Sequence, residues 1–257
     1  MSNKSDLAQA IANYQPARNF LDGRLVVITG AANGIGRAVA RACARHGAQT
    51  LLIDIDRKGL ERLYDEFERE QLPPATLAPM DLQKTDETAY QQLVATLAEQ
   101  YGKIDGLVHC AATLGALCPL EHYDAGNWQR VMQVNLNAAY LLTRASLGLL
   151  RASGNGSVIF TTADVARRAR AYWGAYAIAG FAVEGMMQIW AQELSGERPV
   201  RVNSLDPGIV ETSMRSSAYP GEDRSQLKKA DAVVGLYLYL LGNDSKDITG
   251  QAITAPD

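Results

Sequence analysis

Residues 26–40 read VVITGAANGIGRAVA: an apolar run rich in β-branched residues, a turn holding Gly30, Gly34 and Gly36, then small apolar residues at helical spacing. Strand, turn and helix follow one another without a break. Glycine there lets the backbone approach whatever lies over the turn. The helix opening after Asn33, near Ile35, offers unpaired N–H groups and a positive dipole end, which together suit a pyrophosphate. The spacing is GxxxGxG and not the general GxGxxG, so the position of the turn between first strand and first helix supports a dinucleotide site.

The same alternation continues along the chain. RLVVITG (residues 24–30), TLLIDI (50–55), ATLAPMD (75–81), GLVHCAA (106–112), GSVIFTT (156–162), VRVNSLDPG (200–208) and QAITAPD (251–257) read as strands, most of them apolar on both faces. Strands of that kind belong to a buried parallel sheet. Segments of helical period lie between them at residues 36–46, 58–70, 85–101, 128–150, 174–194 and 229–241. The expectation is an α/β fold, a Rossmann-type doubly wound parallel sheet of about seven strands with helices on both faces. Residues 1–20 read as an N-terminal extension and 21–257 as a single domain. Residues 209–228, polar and carrying AYPGED, follow a strand end, where a loop can act as a lid.

The second strand ends in LLIDID, which puts Asp54 roughly 20 residues beyond the glycine turn, the place of an acidic residue that accepts hydrogen bonds from adenosine ribose. A 2′-phosphate would meet like charge there, so NAD is expected over NADP, with Arg57 the residue that softens the preference. The alternative for Asp54 is to cap the next helix, a role that Asp56 fills equally well. Asp81 and Leu82, in PMDL, stand where an adenine ring would pass; a helix cap explains Asp81 as well.

Composition excludes several classes. A net charge of −3 gives no reason to expect nucleic acid or an anionic membrane as partner. No segment approaches the ~18 apolar residues of a membrane span, and the first residues lack a signal-peptide core, so a cytoplasmic address is expected. Cys43, Cys110 and Cys118 have neither disulfide nor zinc spacing and read as reduced core fillers. The three histidines are scattered, and no metal site is expected; His46 sits near a helix end that favours positive charge.

TGAANGIG, VNLNA, GAYAIAGFAVEGMMQ and DPGIVET together resemble the short-chain dehydrogenase/reductase family over nearly the whole chain after residue 20. YQPARNFLDGRLVVITGA, AVEGMMQIWAQEL and LYLYLLGNDS further resemble its YciK-type subgroup. The resemblance implies hydride exchange between a nicotinamide and a small alcohol or carbonyl. In that scheme a tyrosine acts as acid or base, a serine orients the substrate oxygen, a lysine holds the ribose and lowers the tyrosine pKa, and an asparagine anchors a water relay. Tyr176 and Asn135 match the tyrosine and asparagine. Ala111, Pro207, Gly208 and Thr212 match cofactor-side segments, beside Gly30, Asn33, Gly34, Ile35, Gly36, Asp54, Asp81 and Leu82. The helices carrying Asn135 and Tyr176 are implied to form a homodimer or homotetramer interface.

Two positions depart from the family. The lysine position, four residues after Tyr176, is Gly180, and the serine position, thirteen before it, is Ala163. CAA at residues 110–112 replaces the family's NAG. A phenol without a cation keeps a pKa near 10, so on the order of one in 10³ molecules is phenolate at neutral pH. Glycine inside a helix costs about 1 kcal/mol relative to alanine, so helix propensity does not explain Gly180. Thr162 and the arginines 167, 168 and 170 are the candidates for replacing the lost groups; an exposed polar loop is the other account of the arginines. Two outcomes stay open: an NAD-dependent oxidoreductase with an altered site, and a catalytically silent member that binds a nucleotide or a partner.

Overall fold

The computed structural model describes Ile11 and residues 14–256. Most of the expected N-terminal extension lies outside the described residues, as does the last residue of the final expected strand. Within the described part, Ile11 is buried and Tyr14 and Phe20 pack on the core. The Tyr14 hydroxyl donates to Asp244 at 2.6 Å.

β1 (Leu25–Thr29), β2 (Gln49–Asp54), β3 (Ala75–Pro79), β4 (Gly106–His109), β5 (Ser157–Thr161), β6 (Arg201–Asp206) and β7 (Ala252–Thr254) form one sheet in the order β3-β2-β1-β4-β5-β6-β7. Every pairing is parallel. The α/β reading from sequence therefore holds, each strand ending a residue or more earlier than its apolar run suggested. β1 and β4 are buried at every position, as strands covered on both faces must be.

The main helices are α1 (Gly34–Arg45), α2 (Arg57–Arg69), α3 (Glu87–Tyr101), α4 (Ala125–Met132), α5 (Ala138–Ala152), α6 (Gly174–Glu193), α7 (Ser213–Ala218) and α8 (Val234–Leu241). One core layer joins the sheet to α1, α2 and α8 through residues such as Val39, Leu63 and Tyr237. The other joins it to α3, α5 and α6 through Leu97, Leu142 and Met187. Among the described residues, no helix is long and apolar enough to cross a membrane.

Three local details bear on the site. Asp56 caps α2, accepting from the Gly59 N–H at 2.9 Å, which leaves Asp54 for another role. Asp86, not Asp81, caps α3 through the Ala89 N–H. The segment expected as one helix over residues 128–150 begins earlier, at Ala125 behind the Asp124 cap, and is broken by a π turn over Gln133–Asn137. Such a turn often marks a functional position, and here it carries Asn135.

Candidate active site

Backbone demands at the glycine turn are steric. Gly30 has φ 69°, and a Cβ on it would lie 2.7 Å from the Ala111 nitrogen. Gly34 also has positive φ, 53°, and a Cβ there would meet the Thr212 methyl at 3.3 Å. The expected residues Gly30, Gly34, Ala111 and Thr212 thus converge from β1, β4 and the segment after β6. The start of α1 is open: Asn33 is its N-cap but makes no side-chain cap bond, and the first turn holds no acidic residue. Gly36 is buried, Ile35 packs on the core, and the Thr29 hydroxyl accepts from the Cys110 and Ala111 N–H groups at 3.2 Å.

Asp54, at the end of β2, has one carboxylate oxygen accepting from the Ala32 N–H and the other from the Asp56 N–H, each at 2.9 Å. It joins the glycine turn to the end of β2, and each oxygen keeps a lone pair beyond the one these bonds use. The neighbouring Ile55 is exposed. Arg57 turns to Glu61, at 2.9 Å. Asp81 closes its own turn by accepting from the Gln83 N–H and pairs with Lys84, while Leu82 is a core residue. Helix capping therefore explains neither Asp54 nor Asp81, and Leu82 faces inward.

Tyr176, Asn135, Ala163, Gly180, Ala111, Thr161 and Thr162 line a single cavity of about 40 Å³, with His109 and Phe160. That is room for a few waters. Asn135 is held at both ends of its amide by Thr113, accepting from its N–H at 2.8 Å and donating to its carbonyl at 3.0 Å. His109 bonds the Thr143 hydroxyl at 2.8 Å and stacks on Phe160; burial drops its pKa to about 3. It is neutral at ordinary pH. Burial likewise lowers the His46 pKa, which works against the favourable helix-end charge expected there.

Around Tyr176 the electrostatics are acidic. Burial, then Asp206 and Asp164, push its pKa up to about 12. Among the described residues no lysine or arginine lines the cavity. None of the candidates from sequence fills the gap. Thr162 donates to Glu184 at 3.0 Å. Arg167 pairs with Glu184 at 2.8 Å and bonds the Thr254 hydroxyl at 2.6 Å, so it is neither a free cation nor an exposed loop residue. Arg170 is paired with Asp164, and Arg168 is exposed.

Gly180 has a packing reason. A Cβ there would lie 2.6 Å from the Ala166 methyl and 3.1 Å from its Cα, so α6 and the turn Asp164–Ala166 touch more closely than any larger residue allows. The slot for a side chain at position 180 is closed. The Trp173 ring lies 5.8 Å from that of Tyr176 and 6.0 Å from that of Tyr219, beside α7, and the Arg215 guanidinium sits 3.8 Å above Tyr219. The expected loop 209–228 thus contains a helix and is closed at its base by the Val210–Lys228 bridge.

Sequence reading missed His109, Ala166 and Asp206. The first was visible as a lone polar residue in an apolar strand, and the last in DPG. Nothing local marks Ala166. Pro207 is buried behind Asp206, and Gly208 has φ 73° and donates its N–H to the Asp206 carboxyl at 2.9 Å.

A dinucleotide-type turn at β1, an acidic residue at the end of β2 and a tyrosine–asparagine cavity over β4 and β5 place this chain in the short-chain dehydrogenase family, which matches residues 24–223. It is an oxidoreductase family that uses nicotinamide cofactors. The oxidoreductase YciK of Escherichia coli K12 is 40% identical over 243 residues, covering 95% of this chain and 96% of that one. A short chain dehydrogenase from Pseudomonas syringae superposes with a TM-score of 0.93 at 40% identity, over 95% and 99% of the two chains. One from Shigella flexneri 2a, solved with NADP, gives 0.88 at 39% identity over 93% and 99%.

Proposed function

We propose that this chain binds NAD and acts as a slow carbonyl reductase whose tyrosine works at neutral pH as a proton donor. The carrying observation is the cavity around Tyr176, which no lysine or arginine among the described residues lines, with Asp206 and Asp164 as the charges that act on the phenol. The glycine cradle fits the cofactor: Gly30, Gly34 and Gly36 with the open start of α1 would hold the pyrophosphate, and Asp54 the adenosine ribose. Ala111, Pro207, Gly208 and Thr212 would border the nicotinamide half. Both backbone N–H groups that reach Asp54 are already bonded to it, so a 2′-phosphate would meet a carboxylate there and neither of those donors. This supports NAD here, although the Shigella relative was solved with NADP.

When bound, the nicotinamide would supply or accept hydride. The protein's own part concerns the proton on the Tyr176 hydroxyl. With a pKa of about 12 that proton is present in all but on the order of one in 10⁵ molecules at neutral pH. A protonated phenol can donate to a carbonyl oxygen and is the wrong form to take a proton from an alcohol. Ala163 offers the substrate oxygen no second hydroxyl, which supports slowness.

The test is calorimetric affinity for NAD and NADP, then reduced-nicotinamide absorbance with panels of carbonyls and alcohols. Expected are tighter NAD binding, carbonyl reduction at neutral pH, and an alcohol oxidation rate rising about tenfold per pH unit below 12. Tighter NADP binding overturns the NAD assignment. The closed slot at Gly180 favours a second reading, a silent nucleotide-binding member, and binding without turnover in either direction would select it. We also infer a homodimer or homotetramer through α5 and α6, supported by exposed Tyr140, Ile178, Phe181 and Ile189.

A further inference from the structure

Four acidic or phenolic groups and one arginine surround Asp206: Tyr176 and Glu184 on α6, Asp164 and Arg167 in the turn after β5, and Tyr237 on α8. Their charges nearly cancel. Glu184 is paired with Arg167 at 2.8 Å, and Asp164 with Arg170. Burial keeps both phenols neutral. Asp206 itself, 4% exposed, has the Gly208 N–H on one oxygen at 2.9 Å, and among the described residues no lysine or arginine pairs with it. Within this group it is the carboxylate that forms no ion pair.

Its position follows from the strand order. Asp206 ends β6, and the chain runs from it through Pro207 and Gly208 back to Thr212, whose methyl borders Gly34. If Asp54 and the start of α1 hold the adenosine and pyrophosphate, the remaining half of a dinucleotide extends over β4 to β6, beneath this segment. That half ends in a ring that is cationic when oxidised and neutral when reduced.

We infer that the Asp206 carboxylate makes this site select the oxidised, cationic nicotinamide over the reduced, neutral one. The inference rests on the proposed cofactor binding. A carboxylate of this site that is shielded from water and has no ion-pair partner would change the affinity ratio on the order of tenfold. Burial raises the Asp206 pKa, and the Gly208 N–H, followed by Arg167, partly offsets this. Selectivity is therefore present above the Asp206 pKa and lost as pH falls through it.

The experiment measures dissociation constants for NAD⁺, by calorimetry, and for NADH, by its fluorescence, on the full chain and on Asp206→Asn. The asparagine keeps the oxygen that accepts from Gly208. Expected is a loss of about tenfold in NAD⁺ affinity with NADH affinity unchanged. Equal losses of both ligands mean a structural role and overturn the inference, as does an unchanged ratio. If neither ligand binds the unsubstituted protein, the cofactor reading itself fails. If the variant does not fold, the pH dependence of the NAD⁺/NADH ratio in the unsubstituted protein decides: a ratio flat on acidification overturns the inference.

Discussion

At Gly180, helix propensity loses to a contact. The missing methyl lets α6 rest on Ala166, so Gly180→Lys is expected to destabilise by ~1–3 kcal/mol through overpacking. Adding Ala166→Gly should recover most of that, because the nearest atom, at 2.6 Å, is the Ala166 methyl. Thermal unfolding of the single and double variants checks it, and equal melting temperatures would sink the steric account. His109 gives a second prediction at this scale. Its folded pKa of about 3 lies below the unfolded value near 6.5, so its contribution to stability is present above pH 6.5 and is lost as pH falls toward 3. His109→Gln should flatten that part of an acid-unfolding profile, read by circular dichroism against pH.

At the level of elements, the Arg167–Glu184 pair ties the turn after β5 to α6 and to β7. Glu184 accepts from Thr162, Arg167 and Ser204, and Arg167 reaches the Ile253 carbonyl. Glu184→Ala leaves a largely buried guanidinium without its partner and is expected to cost ~3–5 kcal/mol. Glu184→Gln should cost less; chemical denaturation of both variants measures the difference. Strands were legible because burial on both faces demands continuous apolar runs, as in LVVIT and GLVH. The π turn was not, since the apolar pattern passes through it uninterrupted. Nor was the role of Arg167: its partners lie 17 and 87 residues away, on other elements. The glycine turn and the tyrosine–asparagine pair were legible because each is a local pattern. The charge around Tyr176 was not, because Asp206 reaches it only through the parallel sheet.

For the whole molecule, Ile178, Phe181 and Ile189 recur on one face of α6, and Tyr140 on α5 adjoins them by stacking on Trp190 at 5.7 Å. Trp190 in turn stacks on Phe160 and that on His109, so one aromatic column runs from this face to the cavity. Phe181→Glu is expected to lower the mass in sedimentation equilibrium by at least half while leaving the fold intact. An unchanged mass would remove α6 from the proposed interface.

The touch between Gly180 and Ala166 also constrains descent. A lineage carrying it cannot place a lysine at position 180 by one favourable substitution: Gly180→Lys alone meets a methyl, and Ala166→Gly alone leaves a gap under α6. Each intermediate is worse than either endpoint. The pair behaves as a ratchet, holding the chain to whatever task it performs without that lysine.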